Sequence, residues 1–122
     1  MSLPTTTLYE RLGKQEGITR ITRELMKNHL ANPLVAKRYE KSDLSRVETR
    51  VIEFFCAGTG GPQSYSGQDM LATHRGMNIN EQEFVAVIDD AMAALDACGT
   101  DADTRSEVLA VLWSMKREVV RV

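Results

Sequence analysis

The chain carries only two histidines, His29 and His74, and two cysteines, Cys56 and Cys98, in 122 residues. Zinc fingers and ribbons draw their ligands from close Cys and His pairs, so both are excluded, as is a dense disulfide framework. The cysteines leave two readings open, a single Cys56–Cys98 bridge or two small buried hydrophobes. Charge of neither sign dominates. Fifteen basic residues against seventeen acidic ones give a formal charge of -2, which offers no footprint for a polyanion, and no basic run is interleaved with aromatics. Nucleic acid is therefore not an expected partner. No apolar run approaches the roughly eighteen residues of a membrane span. Met1 to Thr7 lacks the basic and apolar regions of a signal peptide. The expectation is one soluble, cytoplasmic domain over 1–122, with 1–6 a loose N-terminal segment.

Alternation of apolar and polar residues is also missing, which removes half-buried strands, whereas four segments repeat at helical spacing. Ile18, Ile21, Leu25, His29 and Leu30 form the first stripe, and Leu44, Val47, Val51, Phe54, Phe55 and Gly58 the second. Phe84, Val87, Ile88, Met92 and Leu95 form the third, and Val108, Leu112, Met115 and Val119 the fourth. Each is wide enough to face a shared interior. Punctuation agrees. Asn32-Pro33 reads as an N-cap with proline at the first helical position, opening a short helix through Tyr39. Asn80 with Glu83, Thr100 with Asp103 and, more weakly, Ser66 with Asp69 read as capping boxes. Gly13, Gly76 and Gly99 stand where helices can stop, and Gly58-Thr-Gly-Gly-Pro62 must turn. The fold class is all-α.

Between Gly61 and Glu81 the chain is poor in apolar residues, with one short helix expected at about 68–75. A connection of that length in a small domain is usually functional. It contains Met70, His74 and Met77. Taken alone, His74 before Gly76 needs no ligand, because a basic group near a helix C-terminus favours the macrodipole. The methionines then read as core filler.

The string Tyr65-Ser-Gly-Gln-Asp-Met-Leu-Ala-Thr-His74-Arg-Gly-Met-Asn-Ile79, ending at Phe84, resembles the proximal segment of the truncated haemoglobins, closest to group I. Phe54-Phe55-Cys-Ala-Gly-Thr-Gly-Gly-Pro62 is similar to that family's E-helix end and glycine turn. Thr7-Leu-Tyr-Glu-Arg-Leu-Gly13 is similar to its opening helix, and Asn32-Pro-Leu-Val-Ala-Lys-Arg-Tyr39 to its turn into the corner packed on the haem. The likeness runs from about Thr7 to Val122. It implies a two-over-two helical sandwich around haem b (iron protoporphyrin IX). Helices B at about 17–31 and E at about 43–57 would cross G at about 80–98 and H at about 103–120.

The resemblance also implies roles. His74 would ligate iron through Nε2, with Nδ1–H held by a backbone carbonyl. Met70, Met77, Ile79 and Phe84 would line the proximal face. Phe54 and Phe55 would press on the porphyrin or its edge, and Val87 would close the wall. Arg50 would meet a propionate, the alternative being a solvated arginine on an exposed face. Gln68 stands where the family often has an arginine for a second such contact.

On the distal side, group I relatives usually carry a tyrosine and a glutamine that hydrogen-bond the bound gas. The matching positions here are Met26, Val47 and Val51, and none of these side chains can donate. Tyr39 is left as a donor from the pocket wall, or as a ring stacked on haem with its hydroxyl at solvent. His29 is either a sixth iron ligand or, more in keeping with its position between helices, a hydrogen-bonded and partly buried residue. The functions implied are reversible binding of O2, CO and NO for carriage, storage or sensing, or conversion of NO to nitrate with an external reductase. A haem-free helical interaction module is the third reading. Monomer or weak homo-oligomer is expected.

Overall fold

The computed structural model describes residues 7–65, 67 and 69–121; segment 1–6, the Ser66 cap and Gln68 lie outside the described residues. Within these, the helices in chain order are α1 (Leu8–Arg11), α2 (Lys14–Ala31), α3 (Leu44–Gly58), α4 (Met70–His74), α5 (Glu81–Ala97), α6 (Ala102–Ser114) and α7 (Lys116–Val119). A 3₁₀ turn occupies Ala36–Tyr39.

Side-chain caps start most of these helices. Thr7 and Glu10 form a reciprocal capping box on α1. The Asp43, Asp69 and Asn80 side chains accept from the backbone N–H groups of Arg46, Ala72 and Glu83. Each such cap contributes about 1 kcal/mol by pairing a donor the helix leaves open.

Four expectations are corrected. The cap of α6 is Asp101, not Thr100: its carboxylate takes both the N–H and the hydroxyl of Thr104, at 3.1 and 2.7 Å. Asn32 ends α2 instead of opening a helix at Pro33; its Oδ1 accepts from Leu34 N–H at 3.0 Å, and helical turn resumes only at Ala36. The last helix is broken at Met115, where the Ser114 hydroxyl has bonded back to the Val111 carbonyl at 2.5 Å and competes with the helical ladder. Helix α2 begins at Lys14, three residues early, because Gly17 belongs inside it. A Cβ on Gly17 would lie 2.0 Å from the Leu12 carbonyl oxygen, so only glycine lets α1 press so close. Gly13, at φ +92°, makes the left-handed turn between the two.

Helix α2 packs on α3 and crosses α5, and α5 pairs with α6, giving two helices over two. The core between them centres on Ile18, Ile21, Leu25, Cys56, Ala91, Ala94, Leu95 and Val108. Ala91 and Ala94 keep α5 small where α2 crosses it. A second cluster, Ile79, Phe84, Ile88 and Val119, gathers where α7 closes on the start of α5. There a lone parallel bridge joins Ile79 to Val120, and Arg121 N–H donates to the Ile79 carbonyl at 2.8 Å. Both cysteines are free thiols, Cys56 buried and Cys98 half-buried. Burial pushes the Cys56 thiol up. No helix among the described residues is long and apolar enough to cross a membrane.

The packing of α3 and α4 is incomplete. In α3 only Cys56, outside the apolar stripe, is fully buried, while the stripe residues Val47, Val51, Phe54 and Phe55 are half-buried, and α4 buries no residue fully. Helix α4 docks on α7 rather than on α3. Complete burial of such side chains is worth about 1.5–3 kcal/mol each. An apolar body between α3 and the α4–α5 side would therefore recover free energy that protein packing alone leaves unused.

Candidate functional site

His74 closes the single turn of α4, which Asp69 caps. Its ring is half-buried, and Nδ1–H donates to the Met70 carbonyl one turn back, at 2.7 Å. That bond places the proton on Nδ1 and leaves the Nε2 lone pair free for a metal. Past His74 the chain turns through Gly76, at φ +85°. Met77 then packs against the Ile79–Phe84 cluster. Phe84 is buried and meets the Trp113 ring at 5.6 Å. Met70 and Val87 are half-buried.

On the opposite side Met26 is buried on α2, and Val47 and Val51, one turn apart on α3, are half-buried. Arg50 pairs with Glu53 at 3.1 Å along α3. Phe54 and Phe55 diverge. Phe54 meets the Tyr65 ring edge-on at 5.5 Å, whereas Phe55 turns into the helical core. There, with Leu12, Ile18, Ile21 and Val108, it lines an apolar void of about 10 Å³.

Tyr39 ends the 3₁₀ turn with its ring parallel to that of His29, at 5.8 Å and 12°. Burial, with Asp90 nearby, pushes its phenol up, so it stays an O–H donor at neutral pH. His29 itself is only 3% exposed. Its Nδ1 lies 2.7 Å from an Asp90 carboxylate oxygen, and Asn32 Nδ2 donates to both oxygens of the same carboxylate at 3.2 Å. Asn28 Nδ2 donates to the Asp90 carbonyl at 3.1 Å. One ring nitrogen of His29 is thus committed inside the α2–α5 contact. Sequence reasoning missed Asp90. The signal was present: Asp90 falls three residues after Val87 and four before Ala94 on an inward-facing edge of α5, where a carboxylate must find a partner.

Among the described residues no group of three or more His, Cys, Asp or Glu could hold a metal ion. The remaining imidazole nitrogen of His74, beside half-buried apolar side chains, suits a metal that brings its own equatorial ligands. Comparison with known proteins agrees. The family model of the bacterial-like globins matches residues 7–121. The chain is a bacterial-like globin of the truncated haemoglobin family. This globin is 27% identical to the group 1 truncated hemoglobin GlbN of Mycolicibacterium paratuberculosis, over 93% of its own chain and 83% of that protein. The Fe(III) form of truncated hemoglobin from Tetrahymena pyriformis superposes with a TM-score of 0.92 at 25% identity, covering 96% of the globin and all of that chain. The group II truncated hemoglobin from Bacillus anthracis shares the fold, with a TM-score of 0.88 at 20% identity, over 98% and 95% of the two chains. Haem-based gas binding is the chemistry that the globin's family implies.

Proposed function

We propose that this globin holds haem b between α3 and the α4–α5 side and reversibly binds O2, CO and NO. The observation that carries the reading is His74, with Nδ1 locked to Met70 and Nε2 free. When bound, haem supplies an iron that one imidazole leaves open for a diatomic gas. His74 would hold the iron, while Met70, Met77, Ile79 and Phe84 cover the proximal face and keep water out. Phe54 and Val87 would flank the macrocycle, Phe55 would back the wall from the core, and Arg50 would meet a propionate.

The distal wall of Met26, Val47 and Val51 would offer no hydrogen bond to the gas. Solved variants of the Tetrahymena pyriformis protein change one tyrosine and two glutamines, spaced 21 and 4 residues apart, as Met26, Val47 and Val51 are here. Tyr39, kept protonated by burial, would then be the donor from the wall. With so apolar a pocket the ferrous protein should oxidise readily, so a cytoplasmic reductase is the expected partner of a monomer or weak homo-oligomer.

Haemin titration tests the reading. One equivalent should give a Soret band, and His74→Gly should change it, with imidazole restoring it. No Soret band, or one indifferent to His74→Gly, would leave a helical interaction module instead. Repeated NO consumption in air with a reductant, beyond one equivalent per haem, would assign the globin to NO conversion.

A further inference from the structure

Arg38 stands beside Tyr39 in the 3₁₀ turn and reaches across to the segment that follows His74. Its Nε and Nη2 donate to the two Glu83 carboxylate oxygens at 2.9 and 3.0 Å, and its Nη1 donates to the Met77 carbonyl at 2.8 Å. All three directions of the guanidinium fork are used. Glu83 pays for this locally: its N–H is capped by Asn80, but the return bond of its carboxylate to Asn80 is not made, because Arg38 holds that carboxylate. Isolated surface ion pairs contribute little, and a two-point arginine–carboxylate fork is the arrangement that departs from that rule. The Arg38 and Glu83 side chains are 32% and 19% exposed, which limits screening.

Arg38 and Glu83 are chain neighbours of residues that would face the haem, and Met77 is itself one of them. Arg38 precedes Tyr39 on one wall, and Met77 and Glu83, the latter just before Phe84, belong to the other. We propose that Arg38 is a latch joining these two walls, a positioning residue that sets how fast haem leaves. The proposal rests on the haem reading above. Parting the Tyr39 wall from the Met77–Phe84 wall requires all three bonds to break together, whereas ligation by His74 makes no use of them.

The test compares haem transfer from the ferric holoprotein to excess apomyoglobin in wild type, Arg38→Met, Arg38→Lys and Glu83→Gln. Arg38→Met should release haem about tenfold faster, the effect of losing charge-assisted bonds. Arg38→Lys should not restore the rate, since a single ammonium cannot grip both oxygens and the carbonyl. Glu83→Gln in the Arg38→Met background should add little to Arg38→Met alone. The iron-ligand spectrum should stay near wild type, and the urea midpoint of the apoprotein should fall by less than the tenfold change in release corresponds to. Release within twofold of wild type in Arg38→Met would overturn the latch while leaving haem binding intact. So would independent, additive effects of Arg38→Met and Glu83→Gln, or faster release matched by an equal loss of apoprotein stability. A wild-type chain that takes up no haem would remove the haem reading itself.

Discussion

Asp90→Ala removes the centre of a buried polar cluster whose partners the structure fixes. The substitution removes the acceptor of His29 Nδ1 at 2.7 Å and of Asn32 Nδ2 at 3.2 Å. It leaves His29, 3% exposed, with a polar ring nitrogen that water cannot reach. A hydrogen bond to a charged group contributes about 1.5–3 kcal/mol, and a stranded buried polar group costs a similar amount. Asn32 is less buried and can turn to solvent, so the expected loss is about 3 kcal/mol. Against a total of about 5–15 kcal/mol this is large. Urea unfolding of the apoprotein is the assay, because bound haem would add its own free energy to the folded state. With a slope of about 1.5 kcal/mol per molar, the midpoint should fall by about 2 M. Asp90→Asn keeps one acceptor oxygen and should lose only about 1 kcal/mol. Coincident midpoints for wild type and Asp90→Ala would refute the claim that Asp90 holds His29.

His29, 3% exposed and packed between α2 and α5, should not ligate ferric haem in the wild-type globin; a low-spin spectrum abolished by His29→Ala would contradict this. Val51→Gln should slow O2 release at least tenfold by introducing a donor worth about 1.5–3 kcal/mol, and Tyr39→Phe should speed it, both read by stopped-flow. Asp101 is held below the usual carboxylate range by the Thr104 hydroxyl and N–H. Its contribution is therefore present above the unfolded-state value of about 3.9 and lost as pH falls through the lower folded value. Asp101→Asn should unfold earlier than wild type in urea at neutral pH, with the gap closing in acid; a gap independent of pH would refute this. An aromatic disulfide reagent should find Cys98 in the native protein and Cys56 only after unfolding, and fast native reaction of both would show that Cys56 is not buried.

The four long helices were legible because their apolar stripes and polar caps are local in sequence. Boundaries failed where a local rule met a competitor. Thr100 lost the α6 cap to a charged neighbour, Asn32 closed one helix rather than opening another, and Ser114 interrupted the expected last helix with its own hydroxyl. The apolar-poor stretch before α5 was readable as a place that packs little protein, and α4 indeed buries no residue fully. The Nδ1 bond of His74 was foreseeable because its partner is four residues away. The Asp90–His29 pair and the Arg38 fork were not, since their partners lie 61 and 45 residues apart and meet only where α2 and the 3₁₀ turn after it pack on α5. His29 on the apolar stripe of α2 hinted at the first. No pattern in the sequence hinted at the second.

The central claim is that His74 carries the iron. Resonance Raman spectroscopy of the ferrous, gas-free protein measures it directly. An iron–histidine stretching band should be present in wild type and in His29→Ala, absent in His74→Gly, and restored to His74→Gly by imidazole. A band that survives His74→Gly without imidazole, or disappears with His29→Ala alone, would contradict the account.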